Sequence, residues 1–259
     1  MTASPDLTSV TALARQVASA GARVGLPYVA ASPDIGSPTA LRGDDGRPLA
    51  ETVFRWLDPA LKYWEDRGFA LRSAFVHAAR SCAEPFYFLD GRLASWRENA
   101  ALAAINSAEP FDRMGVESAI VAPTYLPGGV IGAVVWASPE RRPDLAEGFM
   151  AHAAELHALA LRLMATHAEP STAVASPARL TRREIQCVKW AAAGKTDQEI
   201  GQIIRLSAPT VRFHLKNASR KLEARGRSQT IHRAAALGYI GQRWPLTGAG
   251  ARPAVASST

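Results

Sequence analysis

The chain has 259 residues, of which 47% are hydrophobic and 20% charged, as expected for a globular protein large enough for two domains. Its longest apolar run, residues 130–137, is too short to cross a membrane, and its N-terminus lacks the basic start and apolar core of a secretory signal. Cys82 and Cys187 are far apart, and no Cys/His cluster has metal-ligand spacing. We therefore expect a cytoplasmic protein without disulfide, cofactor, metal or membrane anchor.

The net charge of +7 is unevenly distributed along the chain. Residues 170–259 carry 15 Lys and Arg against four Asp and Glu, a net +11, whereas residues 1–169 carry a net −4. A mildly acidic part joined to a strongly basic part is typical of a sensor linked to a binder of polyanions. Charge alone fits nucleic acid or an anionic membrane, so the residue spacing has to distinguish them.

The first half of the chain predicts helices around one short strand. Residues 7–20 predict a helix followed by loop to residue 50. Apolar residues recur at intervals of three and four over 52–82 and again over 95–105, which predicts helical structure in both segments. Between them, the aromatic segment 86–89 ends at Asp-Gly and predicts a strand with a turn.

The next segment predicts a β-hairpin and a long helix. Residues 116–121 and 130–137 predict antiparallel strands joined by a turn at Pro127-Gly128-Gly129, and residues 145–167 predict an Ala/Leu-rich helix. This order of elements favours an α+β protein whose N-terminal domain is an α/β/α sandwich around an antiparallel sheet.

Composition predicts four segments. We expect a ligand-sensing and dimerisation domain over 1–168, a linker over 169–178, a DNA-binding domain over 179–244 and a disordered tail over 245–259.

Start and stop signals in the basic part of the chain predict four successive helices. Thr181 and Thr196 each precede a glutamate by three residues, which is the spacing of a capping box. Gly194 ends the first helix, and Ser207 starts the third with Pro209 in its first turn. The fourth helix is expected over 228–237.

The third helix has an apolar face and a basic face. A short capped helix, a tight turn and a basic helix form the helix-turn-helix plan, in which the basic helix enters the DNA major groove. Lys and Arg often cover the solvent face of any helix, but the two capping boxes, the turn and the net charge together favour DNA binding. The inward positions are Val211, Leu215, Ala218 and Leu222, and the basic positions are Arg212, Lys216, Arg220 and Lys221.

These residues resemble the LuxR-type helix-turn-helix over about 60 positions, in particular the branch that senses acyl-homoserine lactones. The resemblance implies that Arg212, Phe213 and Lys216 face bases, and that Thr210, Arg220 and Lys221 mainly hold phosphates. Asn217 lies beside these residues and completes the predicted DNA-binding surface. The motif residues are Leu180 to Glu184, Gly194 to Thr196, Glu199-Ile200, Ile204, Ser207, Thr210-Val211, Phe213-His214, Asn217, Lys221-Leu222 and Gly238 to Ile240.

The resemblance also implies that the N-terminal domain buries a ligand between its sheet and helices. Those receptors accept the hydrogen bond of the lactone amide with an Asp, yet residues 67–83 contain no carboxylate here. The ligand is therefore left open between a lactone and another apolar or aromatic molecule, and an inward-pointing Arg72 would favour an anionic group. The candidate pocket residues are Trp56, Tyr63, Trp64, Arg72, Ser73, Phe75, Phe86, Phe88, Trp96 and Tyr125.

We find no enzyme motif. His152 and His157 are five residues apart, about 140° around a helix, whereas a zinc-binding helix needs histidines four apart. The sequence predicts a small-molecule-gated transcription regulator that binds a pseudo-palindromic promoter site as a homodimer. Two alternatives stay open: an orphan regulator that needs no ligand, and an interaction protein that sequesters a related receptor as a heterodimer.

Overall fold

The computed structural model describes residues 9–58, 60–62, 65, 68, 73–108, 114–168 and 179–241. The predicted linker and tail lie outside the described residues, as do Tyr63, Trp64 and Arg72. The chain divides into two compact units, Met1–Ala175 and Ser176–Thr259, which we describe separately.

A five-stranded antiparallel sheet forms the centre of the first unit, with the strand order β1-β5-β4-β2-β3. The predicted hairpin is present as β4 and β5, which pair from Ser118 opposite Ser138 to Tyr125 opposite Ile131. A 3₁₀ turn joins them, with Gly128 at a φ of +85°, where a residue without Cβ is favoured. The strands are β1 (Tyr28–Ser32), β2 (Phe86–Leu89), β3 (Arg92–Ala94), β4 (Ser118–Tyr125) and β5 (Ile131–Ser138).

Helices cover both faces of this sheet, which confirms the predicted α/β/α sandwich. The first and last helices share one apolar cluster with one face of the sheet, and the two short helices in the middle of the unit pack on the other face. The helices are α1 (Val10–Arg23), α2 (Leu49–Thr52), α3 (Ala74–Ser81), α4 (Ala100–Ser107) and α5 (Leu145–Ala168).

The central strands are buried on both sides because their residues alternate between the two cores. Ile120 of β4 points toward α1 and α5, whereas its neighbour Val121 points toward α3. Trp136 of β5 is fully buried, and its indole N–H donates to the Val17 carbonyl of α1 at 2.9 Å. Gly21 makes room for this ring, since a Cβ there would lie 2.2 Å from the Trp136 Cδ1.

Three predictions for this unit need correction. The segment 28–32, predicted as loop, is strand β1, and within the described residues of 52–82 the only full helix is α3, with α2 ending at Thr52. Residues 54–57 instead run beside β1, where the Val29 N–H donates to the Arg55 carbonyl at 2.7 Å. The helix predicted from residue 95 begins at Ala100, because the Asn99 side chain accepts from its first turn.

The second unit contains, over residues 179–241, the helices α6 (Arg182–Ala192), α7 (Asp197–Ile204), α8 (Ala208–Lys221) and α9 (Arg227–Ala236). Both predicted capping boxes are present, at Thr181 and Thr196, and the Ser207 hydroxyl caps α8. The α7–α8 turn is tight because Arg205 adopts the left-handed conformation, with a φ of +55°.

Two small apolar clusters hold these four helices together. Cys187 and Ile200 pack with Val211 between α6, α7 and α8, and Val188 packs with Ala218 near α9. None of the described helices is long and apolar enough to cross a membrane.

Candidate nucleic-acid interface and N-terminal cavity

The exposed face of α8 is the most distinctive polar surface of the second unit. Val211 and Ala218 are fully buried and fix which way the helix faces. The Arg212 side chain, 75% exposed, and the exposed Lys216 lie one turn apart on the solvent side. Phe213 is 60% exposed, which is unusual for a large aromatic residue, and its ring lies 5.7 Å from the neighbouring His214 ring.

The predicted phosphate-contact residues make local hydrogen bonds. The Thr210 hydroxyl lies 2.7 Å from the Ser207 hydroxyl in the first turn of α8. The Arg220 guanidinium donates to the Asn217 side-chain oxygen at 3.3 Å. Both interactions are solvent-exposed and weak, so they leave these side chains available for DNA, and their DNA contacts stay predictions.

Lys221 has a partner within the domain. Its ammonium donates to the Glu184 carboxylate at 2.8 Å, and Glu184 is almost completely buried at the start of α6. Glu184 also accepts from the Thr181 backbone N–H at 2.6 Å. Burial by itself raises the pKa of Glu184, but the hydrogen bonds from Lys221 and Thr181 outweigh it, so this pKa lies below its ordinary value. Lys221 therefore ties α8 to α6, and a phosphate contact would compete with this bond.

A second acidic residue, Asp197, joins three parts of the domain. It is the first residue of α7, and its two carboxylate oxygens accept from Arg212 Nε at 3.3 Å and from Arg227 Nη1 at 2.8 Å. Arg227, the first residue of α9, also donates to the Lys195 carbonyl. The sequence analysis did not identify Asp197 or Arg227 as functional residues. Asp197 follows a helix cap, and Arg227 lies just before the helix predicted over 228–237, so neither belongs to a recognisable motif.

The start of α7 is strongly anchored. Glu199 accepts from the Thr196 backbone N–H at 2.8 Å and from the Lys195 ammonium at 3.1 Å. The hydrogen bond from the Thr196 backbone is the largest cause that lowers the pKa of Glu199, to about 2. The Glu199 side chain of this capping box is therefore ionised at neutral pH, which stabilises the start of α7, where Asp197 lies.

The first unit contains an apolar cavity on the α3 side of its sheet. Its cavity volume is about 50 Å³, within about 490 Å³ of space that includes open solvent. Of the candidate pocket residues, Trp56, Ser73 and Phe75 line it. The other lining residues are Ala30, Ala31, Ser32, Ile35, Val76, Met114, Val121, Ala133 and Val135. The sequence analysis missed several of them because it did not predict β1.

The polar features of this cavity are few. Ser73 is 2% exposed, and its hydroxyl has no hydrogen-bond partner among the described residues. A buried hydroxyl without a partner is unfavourable, and a ligand with a hydrogen-bonding group would relieve this cost. Among the described residues, no charged side chain lines the cavity.

The remaining described pocket candidates do not line the cavity. Phe86 and Phe88 are fully buried beneath it, and Phe88 meets the Phe75 ring edge-on at 5.5 Å. Trp96 lies on the opposite side of the sheet against Phe149 of α5. Tyr125 is half-exposed, and its hydroxyl donates to the Ala79 carbonyl at 2.9 Å. Aromatic spacing did not distinguish core from pocket, because both positions are apolar.

Neither unit presents a metal centre in its described part. No group of three or more His, Cys, Asp or Glu side chains is close enough there to hold a metal ion. His157 is held by the protein backbone, with Nε2 2.9 Å from the Pro123 carbonyl.

Comparison with known proteins identifies the second unit. The family model described as "Bacterial regulatory proteins, luxR family" matches residues 178–234. The transcriptional activator VanR of Vibrio anguillarum is 52% identical over 61 residues, which cover 24% of this chain and 25% of VanR. The transcriptional activator SolR of Ralstonia nicotianae is 43% identical over 82 residues, or 32% of this chain and 35% of SolR.

The chain spans about a quarter to a third of the length of these relatives. The crystal structure of Escherichia coli SdiA aligns over 89% of this chain and 92% of that one, at 18% identity and a TM-score of 0.45. VanR and SolR are both described as transcriptional activators.

Proposed function

We propose, from the premise that residues 178–234 are a LuxR-type helix-turn-helix domain, that this protein regulates transcription by binding DNA through α8. The observation that carries the proposal is the exposure of Arg212 and Lys216 one turn apart on a helix whose other face is buried. Arg and Lys side chains at this spacing reach guanine edges in the major groove. The exposed Phe213 beside them offers an apolar contact to a thymine methyl group.

Selection of DNA sites in vitro tests this proposal. The full chain is incubated with random duplexes, and enriched sequences are compared with scrambled ones. We expect a pseudo-palindromic site, since each copy of the domain supplies one α8 to one half-site. Arg212→Ala and Lys216→Ala should each weaken binding to this site about 5- to 100-fold while changing non-specific binding much less.

A charge-matched variant separates base contacts from general attraction. Arg183→Ala removes the same charge from the exposed start of α6. It should lower specific and non-specific binding by similar factors. Enrichment of no sequence by the unmodified protein would refute the proposal.

We propose that the cavity of the first unit binds a small, mainly apolar molecule that regulates DNA binding. The apolar lining and the unsatisfied Ser73 hydroxyl support a neutral ligand with one hydrogen-bonding group. Acyl-homoserine lactones and aromatic amides are neutral and carry at least one hydrogen-bonding group, whereas aryl acids need the cation that Arg72 was predicted to provide.

Thermal shift measurements with these three compound classes separate the ligand hypotheses. A stabilising compound should lose its effect in Ala133→Phe, which fills the cavity, and keep part of it in Ser73→Ala. Stabilisation by aryl acids alone would favour the Arg72 hypothesis. Unchanged DNA binding after cavity filling and after addition of every compound would instead favour an orphan, ligand-independent regulator.

We also propose that the protein is a homodimer through the outer face of α5. Met150 is 64% exposed and Leu161 is 43% exposed, on a line that continues through Ala154, Ala158 and Ala165. These residues repeat at intervals of three and four, so they form one apolar stripe on the helix. A second copy of the same helix would cover this stripe in a symmetric interface.

A further inference from the structure

We infer that Asp197 is a positioning residue that sets DNA sequence specificity by orienting Arg212. This inference rests on the proposed function, since it assigns a role to a contact beside the α8 surface. Asp197 does not lie on α8 and carries the charge that DNA repels. A negatively charged residue at the edge of a DNA-binding surface weakens the general attraction of the domain to the phosphate backbone. Its presence there therefore points to a contribution other than overall affinity.

The geometry of the carboxylate gives this contribution. One oxygen of Asp197 accepts from Arg212 Nε at 3.3 Å, which holds the inner end of the guanidinium. Among the described residues, the terminal nitrogens of Arg212 have no hydrogen-bond partner, and the side chain is 75% exposed. The two terminal amino groups are the pair that donates in parallel to N7 and O6 of a guanine.

Asp197 itself is held in place from two directions. Its other oxygen accepts from Arg227 Nη1 at 2.8 Å, and the side chain is only 20% exposed. Arg227 is fixed in turn by its hydrogen bond to the Lys195 carbonyl. Asp197 is also the first residue of α7, where the helix dipole favours a negative charge. The hydrogen bond to this fixed carboxylate therefore restricts the rotamers that the Arg212 side chain adopts.

Replacing Asp197 by a neutral residue should lower the sequence specificity of DNA binding and leave the general affinity for DNA intact. Immobilising a long side chain on binding lowers affinity about two- to tenfold, and prior orientation by Asp197 avoids this loss. We therefore expect Asp197→Asn in the full chain to lower the ratio of specific to non-specific affinity about two- to tenfold for each half-site. Non-specific binding should become slightly stronger, because the domain loses one negative charge.

The experiment uses the site selected by the unmodified chain, a scrambled duplex, and all four base pairs at each position of the half-site. Glu223→Gln is the matched control, since it removes one negative charge from an exposed residue that does not contact Arg212. The loss in Asp197→Asn should be confined to the base pair that Arg212→Ala also affects. In the Arg212→Ala background, Asp197→Asn should cause no further loss of specificity. In the otherwise unmodified chain, Asp197→Glu should keep part of the specificity that Asp197→Asn loses.

Each outcome decides between the alternatives. Equal losses on specific and scrambled DNA, together with a lower melting temperature, would show a purely structural role and overturn the inference. Stronger specific binding in Asp197→Asn would show that Asp197 restrains Arg212 from DNA, which also overturns it. If the unmodified chain selects no site at all, the proposed function fails first.

Discussion

The ion pair between Lys221 and Glu184 gives a quantitative prediction for the second unit. In Lys221→Met the Glu184 carboxylate, only 4% exposed, loses its cation but keeps the hydrogen bond from the Thr181 backbone. Breaking a fully buried pair in this way costs about 3–5 kcal/mol. Lys221 is 32% exposed, so water already screens part of the interaction. We therefore expect a smaller loss of unfolding free energy, about 1–3 kcal/mol at pH 7.

The loss should depend on pH with a definite sign. In the unmodified protein the pKa of Glu184 lies below its ordinary value of 4.5, so its ionised form stabilises the fold above that pH and ceases to do so as the pH falls through the folded pKa. Without Lys221 the effect of burial is less opposed, and the pKa moves upward. The stability difference between variant and unmodified protein should therefore narrow as the pH falls toward 4.5.

Native-state hydrogen exchange on the full chain measures this difference locally. Amides of α6 and α8 report the second unit, and amides of β4 and β5 serve as an internal reference that should not change. The double variant Glu184→Gln with Lys221→Met should recover much of the loss, because no buried charge remains. A loss below about 0.5 kcal/mol, the value of a typical exposed pair, would refute the structural role of Lys221.

Three further variants address the first unit. Gly21→Ala should destabilise it by about 1–3 kcal/mol in urea unfolding, because the new Cβ meets a buried indole, whereas Gly148→Ala, with open space around its Cβ, should be neutral or stabilising. A serine hydroxyl at the start of α1 is the chief cause that lowers the pKa of Asp44 to about 2, so the stabilising effect of this carboxylate is lost as the pH falls from about 4 to 2. Asp44→Asn should therefore be less stable at pH 7, and its urea midpoint should depend less on acid pH. Met150→Glu and Leu161→Glu should shift the mass measured by light scattering from dimer to monomer, and an unchanged mass would exclude α5 as the interface.

The second unit was predictable from sequence because its signals are local. The capping residues Thr181, Thr196 and Ser207 each lie within three residues of the groups they satisfy, so spacing alone predicts where the helices begin. The bond between Asp197 and Arg212 joins residues 15 apart on different helices, and no local pattern reports it.

The first unit was harder because long-range contacts decide its structure. Strand β1 consists of Tyr-Val-Ala-Ala-Ser, of which only the first two residues favour strands, and its pairing with β5 determines its structure. Phe54 and Leu57 have helical spacing, yet Phe54 packs in the α1/α5 core and Leu57 in the opposite core. Residues 54–57 run along the edge of the sheet and place one apolar side chain in the core on each face, so their spacing does not reflect a helix. Which aromatic residues border the cavity depends on the same pairing.

The pairing of β1 with β5 also determines when the first unit is able to fold. Tyr28 faces Ala137, so β1 must wait for about a hundred further residues to be synthesised before its partner strand exists. The helices of the second unit contact one another entirely within residues 182–236, and shorter sequence separations between contacting residues allow faster folding. The apolar residues of β1 and α1 therefore stay uncovered on the ribosome longer than those of any helix in the second unit, and they are the segments for which we expect a chaperone to compete.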